Sequence, residues 1–346
     1  MMPYLGKYER ILKEENISYD IVLWDREKNK ETEKKENEYI IYSKCKLGGN
    51  KIFKIYSYWK YRKEILKILK NKKYDKIIIF NTLPAIAICD VLIKKYNKNY
   101  LFDYRDYTYE KYSCYRYLVN YIIKNSFYTM ISSKGFFLFF KKERNIVLMH
   151  NISNIEQCEE FVTLKNRSKK IKIGYVGLIR YERENKNLIK NIKNSSRYIL
   201  KYVGKIYSNC HIQKYCENNM INNVYFKGEY NNNEKNKIYK DIDMINAVYG
   251  NDSYEVRTAL PNRLYDCLIF KKPIIVSENT YLANLVKKNK IGIAIDLNKG
   301  KTHVIEKLDK YVESFNEKDF LNKCNMLLSK IVEDEDLAKN KIKEFF

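Results

Sequence analysis

Residues 255–277, EVRTALPNRLYDCLIFKKPIIVS, space chemically able side chains in a pattern that suits an anion and a sugar hydroxyl. The pattern predicts a polar irregular loop, Pro261 at the first position of a helix over 262–270, and a buried strand over 273–276. Proline at that position wastes no hydrogen bond, because the first N–H groups of a helix have no partner within it. Those groups lie at the positive end of the helix dipole and attract anions. Arg257 and Arg263 flank that end and add full charge. Asp266 follows Asn262 by four residues, so both project from one face, with the carboxylate one turn deeper. A diphosphate at the tip and a hydroxyl on the carboxylate is the simplest matching ligand, which has the shape of a nucleotide sugar. A loop followed by a helix is also simply what any βα unit presents.

The run LPNRLYDCLIFKKPIIVS resembles the donor-binding segment of glycosyltransferases with the GT-B architecture, most closely family 4, which builds bacterial capsule and surface polysaccharide. In that family a Pro-Asn-Lys/Arg-Leu run opens the helix and an acid within it holds the donor ribose, a role the resemblance gives to Asp266. The family's second frequent carboxylate, eight residues upstream, falls here on Thr258, which cannot serve; Glu255 is the substitute at a different spacing. YVGLIRYERENKNL resembles the first loop of the family's donor domain. Gly174 and Gly177 permit close backbone approach there. Arg180 is the first choice for a phosphate clamp and Lys186 the second. FDYRDYTYE resembles a stretch at the domain cleft, where Asp106 would stand near the acceptor hydroxyl and Arg105 near a phosphate. Asp106 could equally cap the following turn. Asp241-Ile-Asp243 spells DxD, a metal–nucleotide motif in another glycosyltransferase architecture, but its place at a helix end favours capping. No metal and no cofactor are expected; the nucleotide sugar is a substrate.

These segments need a scaffold, and 346 residues suffice for two domains with separate cores. Strand and helix patterns alternate from residue 19 to residue 150 and again from 171 to 296, predicting an α/β protein of two doubly wound, Rossmann-like domains. The expected division is an acceptor-binding domain over 1–155, a linker over 156–169, a nucleotide-sugar domain over 170–330 and a terminal helix over 331–346 that crosses back to the first domain. The chain opens with a helix over 4–16 where such a domain normally opens with a strand. MPYLGKYERIL resembles the helix after the family's first strand, so that strand is expected to be missing, and reading the frame upstream should reveal it. Residues 57–73 form a basic amphipathic helix that packs on the sheet or meets anionic lipid. Phe136, Phe137, Phe139 and Phe140, between Lys134 and Lys141, fit either burial or a lipid interface.

Composition narrows the classes. The net charge of +24 implies an anionic partner, although an abundance of Lys, Asn, Ile and Tyr also fits an AT-rich genome. The first sixteen residues are polar and no run of about eighteen apolar residues occurs, so the reading is a cytoplasmic protein, peripheral at the inner membrane face. Eight cysteines without a CxxC pair suggest reduced thiols, and three histidines without HxxxH spacing argue against zinc. The activity expected is metal-independent transfer of a sugar from a nucleotide donor to a lipid-linked or glycan acceptor, with retention implied by the resemblance. Rivals are a catalytically inactive GT-B assembly partner, a GT-B epimerase of nucleotide sugars, and a nucleic-acid binder using some of the 33 tyrosines. No RNA- or DNA-binding fingerprint accompanies those tyrosines, so nucleic acid is not an expected partner.

Overall fold

A computed structural model describes residues 4–25, 36–43, 51–140, 143–152 and 170–346, with backbone alone at 51–54. The chain divides into two compact units, Met1–His150 with Asp334–Phe346, and Asn151–Glu333. The linker expected over 156–169 lies outside the described residues.

In the first unit β1 (Ile21–Asp25) and β2 (Glu38–Tyr42) form a parallel pair. A second sheet carries β3 (Ile77–Phe80), β4 (Tyr100–Tyr104), β5 (Tyr128–Ile131) and β6 (Ile146–Leu148), parallel and in sequence order. Among the described strands β1 bonds only to β2, so the unit carries its parallel strands in two pieces. Because side chains alternate along a strand, β4 feeds two cores. Tyr100, Phe102 and Tyr104 pack with Val119, Ile122 and Ile123 of helix Ser113–Asn125. Leu101 turns the other way, into the core that also holds Tyr8 and Ile11 of helix Leu5–Glu14.

Several expectations shift. The basic helix begins earlier and runs Lys51–Asn71. The helical segment after β3 is two pieces, Thr82–Ala87 and Cys89–Lys94. Phe136, Phe139 and Phe140 are buried around the short turn Lys134–Leu138, in which Leu138 is exposed. The C-terminal segment is one helix, Glu317–Phe345. No glycine or proline interrupts it, and its apolar stripe is continuous. Phe320, Cys324, Leu327 and Ile331 join a core of the second unit, while Ala338, Ile342 and Phe345 join one of the first.

The second unit is a six-stranded parallel sheet: β7 (Ile171–Val176), β8 (Tyr198–Val203), β9 (Val224–Lys227), β10 (Met244–Ala247), β11 (Ile274–Ser277) and β12 (Gly292–Ile295). Their spatial order is β9-β8-β7-β10-β11-β12. The chain winds outward one way from β7 and then the other way from β10, which is the doubly wound arrangement. Helices cover both faces, so the strands are continuous apolar runs such as IIVS. The winding reverses between β7 and β10, and the crevice beyond the carboxyl ends of those two strands is where such folds bind ligands.

Candidate functional site

The loop after β7 turns at Gly177, whose φ of 111° disfavours any side chain. Its N–H donates to the Val203 carbonyl at 2.8 Å. Gly204, at φ 136°, ends β8 so close by that a Cβ there would stand 2.2 Å from the Gly177 oxygen. Two glycines therefore let the two loops meet backbone to backbone. Asn185, buried in helix Glu182–Ile192, donates to the carbonyls of Arg180 (2.6 Å) and Tyr181 (3.0 Å) and accepts from the Tyr202 hydroxyl. Tyr181 is held in the left-handed region, φ 60° and ψ 56°. Such a conformation costs a non-glycine residue of the order of 1–3 kcal/mol and gathers at functional sites.

Into this crevice comes Arg263, from the first turn of helix Asn262–Ile269. It is only 7% exposed, yet among the described residues no carboxylate forms an ion pair with it. Its guanidinium lies 3.6 Å from the centroid of the Tyr175 ring and 5.3 Å from that of Tyr249. One terminal nitrogen donates to the Tyr249 hydroxyl, while Nε has no partner. A Cβ on Gly177 would be 3.6 Å from the other terminal nitrogen. The Tyr181 ring stacks on Tyr249 at 4.7 Å, and the Arg180 guanidinium lies 5.4 Å from Tyr181. Burial raises the Tyr181 pKa, while Arg180 and Arg263 oppose the rise and Glu255 adds to it. The structure thus brings Gly177, Arg180 and Arg263 together around Tyr175, Tyr181 and Tyr249, while Glu255 is exposed on the short helix Tyr254–Thr258. Two guanidinium groups among flat rings at the switch point suit a phosphate-bearing, ring-containing ligand.

The remaining donor-side residues are placed differently. Pro261 is the cap rather than the first helical residue, extended at φ −77° and ψ 156°, and Asn262 opens the helix. The loop before it contains a short helix, Tyr254–Thr258, capped by the Ser253 side chain. Arg257 is exposed and donates to the Asn251 carbonyl. Asn262 accepts from Asn151 at 3.2 Å. Asp266 is buried and accepts from the Tyr239 hydroxyl at 2.7 Å and from Lys235 Nζ at 3.1 Å. A carboxylate has about four lone-pair sites, so two partners leave acceptor capacity for a hydroxyl. Lys186 is not gathered with the arginines: it pairs with Glu182 at 2.6 Å, one turn away, and lies over the Tyr215 ring. Gly250, at φ 82° after β10, donates to Ser277 Oγ at 2.8 Å. In the DxD triplet Asp241 pairs with Lys172 and Lys201, and Asp243 accepts the Lys172 backbone N–H. Among the described residues no three His, Cys, Asp or Glu side chains converge as a metal site would need.

In the first unit Asp106 is exposed on the bend after β4. Arg105 is not available to a ligand: it is 4% exposed, ion-paired with Asp103, and donates to the Met149 carbonyl at 2.9 Å. Asp103 lies in β4 and Arg105 just after its end, two residues on, where its guanidinium reaches back to that carboxylate. Asp103 also accepts from the Tyr8 hydroxyl at 2.7 Å, and burial of Tyr8 beside that carboxylate pushes the phenol well up.

The sequence matches no family model and no curated protein. The structure does match solved proteins. Sucrose-phosphate synthase from Thermosynechococcus elongatus aligns with a TM-score of 0.68 at 12% identity, over 99% of this chain and 88% of that one. Anabaena HepE in complex with UDP-glucose aligns at 0.61 and 9% identity, over 94% and 100%. The lipopolysaccharide outer core galactosyltransferase WaaB aligns at 0.60 and 15% identity, over 88% and 84%. Likeness at this level of identity concerns the fold, and the chain has the two Rossmann-like domains of the GT-B glycosyltransferases.

Proposed function

We propose that the protein is a glycosyltransferase whose second unit binds a nucleotide sugar in the crevice beyond β7 and β10. The observation that carries this is Arg263, a nearly buried guanidinium packed against two tyrosine rings at the switch point and given no ion-pair partner by the described residues. A buried cation without a counter-ion is costly and is tolerated where a ligand supplies the charge. Arg263 and Arg180 would hold the diphosphate, and Tyr181 and Tyr249 offer ring faces. Asp266 would accept a ribose hydroxyl while Tyr239 and Lys235 fix its rotamer. As the glycosidic bond to the diphosphate breaks, charge grows on the leaving oxygen, and the two guanidinium groups with the helix terminus would stabilise it without a metal. Asp106 is the acceptor-side acid of this reading, which includes retention of configuration, a lipid-linked or glycan acceptor of surface polysaccharide synthesis, and work at the cytoplasmic membrane face. HepE was captured with UDP-glucose, which makes uridine the first base to try.

The test is calorimetric titration of the metal-free protein with UDP, GDP, ADP and CDP and their glucose conjugates, followed by donor hydrolysis and transfer assays. Base-selective binding that Arg263→Met weakens supports the reading; no binding by any nucleotide to folded protein overturns it. A second reading has its own observation. Thr258, where the resembling family has a carboxylate, is buried with its hydroxyl donating to the Tyr254 carbonyl at 2.8 Å. A binding protein that has lost turnover would bind the nucleotide sugar and neither hydrolyse nor transfer it.

A further inference from the structure

The first unit presents an aromatic surface on two helices whose inward faces are already packed. On helix Lys51–Asn71, Tyr61 and Ile65 are buried, while Ile55, Tyr56 and Trp59 stand out, with Ile55 69% and Trp59 57% exposed. On helix Ser113–Asn125, Val119, Ile122 and Ile123 are buried, while Tyr117 is 70% exposed beside Leu118 and Tyr121. The exposed rings are ordered against one another: Tyr56 stacks on Trp59 at 6.1 Å, and Tyr117 on Tyr121 at 6.4 Å with planes 7° apart. Both helices pack on the short helix Thr82–Ala87, and Tyr115 of the second donates to the Thr82 hydroxyl. The two faces therefore flank one junction.

Cations rim these rings. Lys63 Nζ lies 5.4 Å from the Trp59 ring and Lys111 Nζ 5.0 Å from that of Tyr112. Residues 111–125 include Lys111, Arg116 and Lys124 and no acid, and residues 55–73 carry Lys60, Lys63, Lys67 and Lys70 against the single acid Glu64. Apolar and aromatic side chains flanked by lysines match the boundary between acyl chains and anionic headgroups. Nucleic acid would use rings and lysines too, but base stacking gains nothing from Ile55 and Leu118.

We propose that this face, centred on Trp59 and Tyr117, docks on an anionic lipid bilayer, with the rings entering the interface and the lysines on headgroup phosphates. It deepens the membrane-face part of the proposed function, and it can fail while nucleotide binding stands. The test is sedimentation with vesicles of phosphatidylcholine, with and without phosphatidylglycerol, on wild type, Trp59→Ser/Tyr117→Ser and Lys63→Gln/Lys67→Gln, each checked for an unchanged melting temperature and UDP affinity. Wild type should prefer the anionic vesicles, and both double variants should lose binding by about tenfold or more. Three results would overturn the proposal. These are no sedimentation with anionic vesicles, equal binding by the aromatic variant, which would reduce the effect to general adsorption of a basic protein, and binding of single-stranded RNA through these residues in place of vesicles.

Discussion

The Arg263 guanidinium sits 3.6 Å from the Tyr175 ring centroid, so a residue of the helix after β10 rests on the last turn-ward residues of β7. This one contact spans the point at which the sheet's winding reverses. It holds a cation at that point, and among the described residues no carboxylate pairs with it.

A residue kept for binding at the expense of stability should separate the two when replaced. Arg263→Met keeps the volume and removes a buried charge, so the fold should be as stable as wild type or more so. Nucleoside diphosphate affinity should fall about ten- to a hundredfold, the worth of a charged hydrogen bond at roughly 1.5–3 kcal/mol. Melting curves and titration calorimetry on the same preparation read both quantities. A drop in stability together with unchanged affinity would make Arg263 a packing residue.

Asp266 carries a structural duty that must be separated from any contact with ribose. Asp266→Ala strands the Tyr239 hydroxyl, which is fully buried, and should cost about 1–3 kcal/mol of stability. Tyr239→Phe removes the donor instead and should cost about 1 kcal/mol while leaving nucleotide affinity intact. Asp266→Asn keeps an acceptor for Tyr239. If its nucleotide affinity falls while its melting temperature nearly holds, the carboxylate faces the ligand as well as Tyr239.

Arg105 and Asp106 are neighbours with opposite expected behaviour. Arg105→Ala leaves the Asp103 carboxylate buried with Tyr8 as its remaining neutral donor, and removing one member of a buried pair costs about 3–5 kcal/mol. Asp103→Asn/Arg105→Met, which removes both charges, should recover much of that loss. Asp106→Asn is an exposed change and should stay within about 0.5 kcal/mol of wild type. Transfer to acceptor should nonetheless fall in the Asp106 variant. Urea unfolding and a transfer assay give the two readouts.

The alternating strands and helices were legible because parallel strands covered on both faces are uniform apolar runs; IIIF, IKIGYV and IIVS announce themselves. Gly177, Arg180 and Arg263, which the proposed function uses, were legible as residues next to strand ends or helix starts. Tyr175 and Tyr249 were not, because two site rings among 33 tyrosines carry no local mark. Lys235 and Tyr239 reach Asp266 from about thirty residues upstream, a proximity created by the sheet and invisible in spacing. The role of Arg105 was misread because burial decides whether an arginine meets a ligand or a neighbour, and Asp103 two residues earlier settles it. The aromatic run at 136–140 read both ways, and packing around Tyr104 resolves it toward burial for Phe136 and Phe140.

His150 offers a test of sign. Its imidazole is buried and lies 3.2 Å from the Asp334 carboxylate. Burial, the larger effect, lowers its pKa below the ordinary value near 6.5, and the hydrogen bond to Asp334 opposes that shift without cancelling it. Between the lowered folded value and the ordinary one, the unfolded chain binds more protons than the folded chain. Stability therefore rises with pH through that window, is fully present above about 6.5, and is lost as pH falls through the folded pKa. Urea midpoints measured from about pH 8 to pH 5 should fall for wild type and fall less steeply for His150→Gln, which cannot titrate. Were the charged pair with Asp334 the larger effect, the folded pKa would lie above the ordinary value, and acidification through this range would strengthen the wild type relative to the variant. The slope of the difference between the two proteins decides whether desolvation or the ion pair governs this end of the first unit.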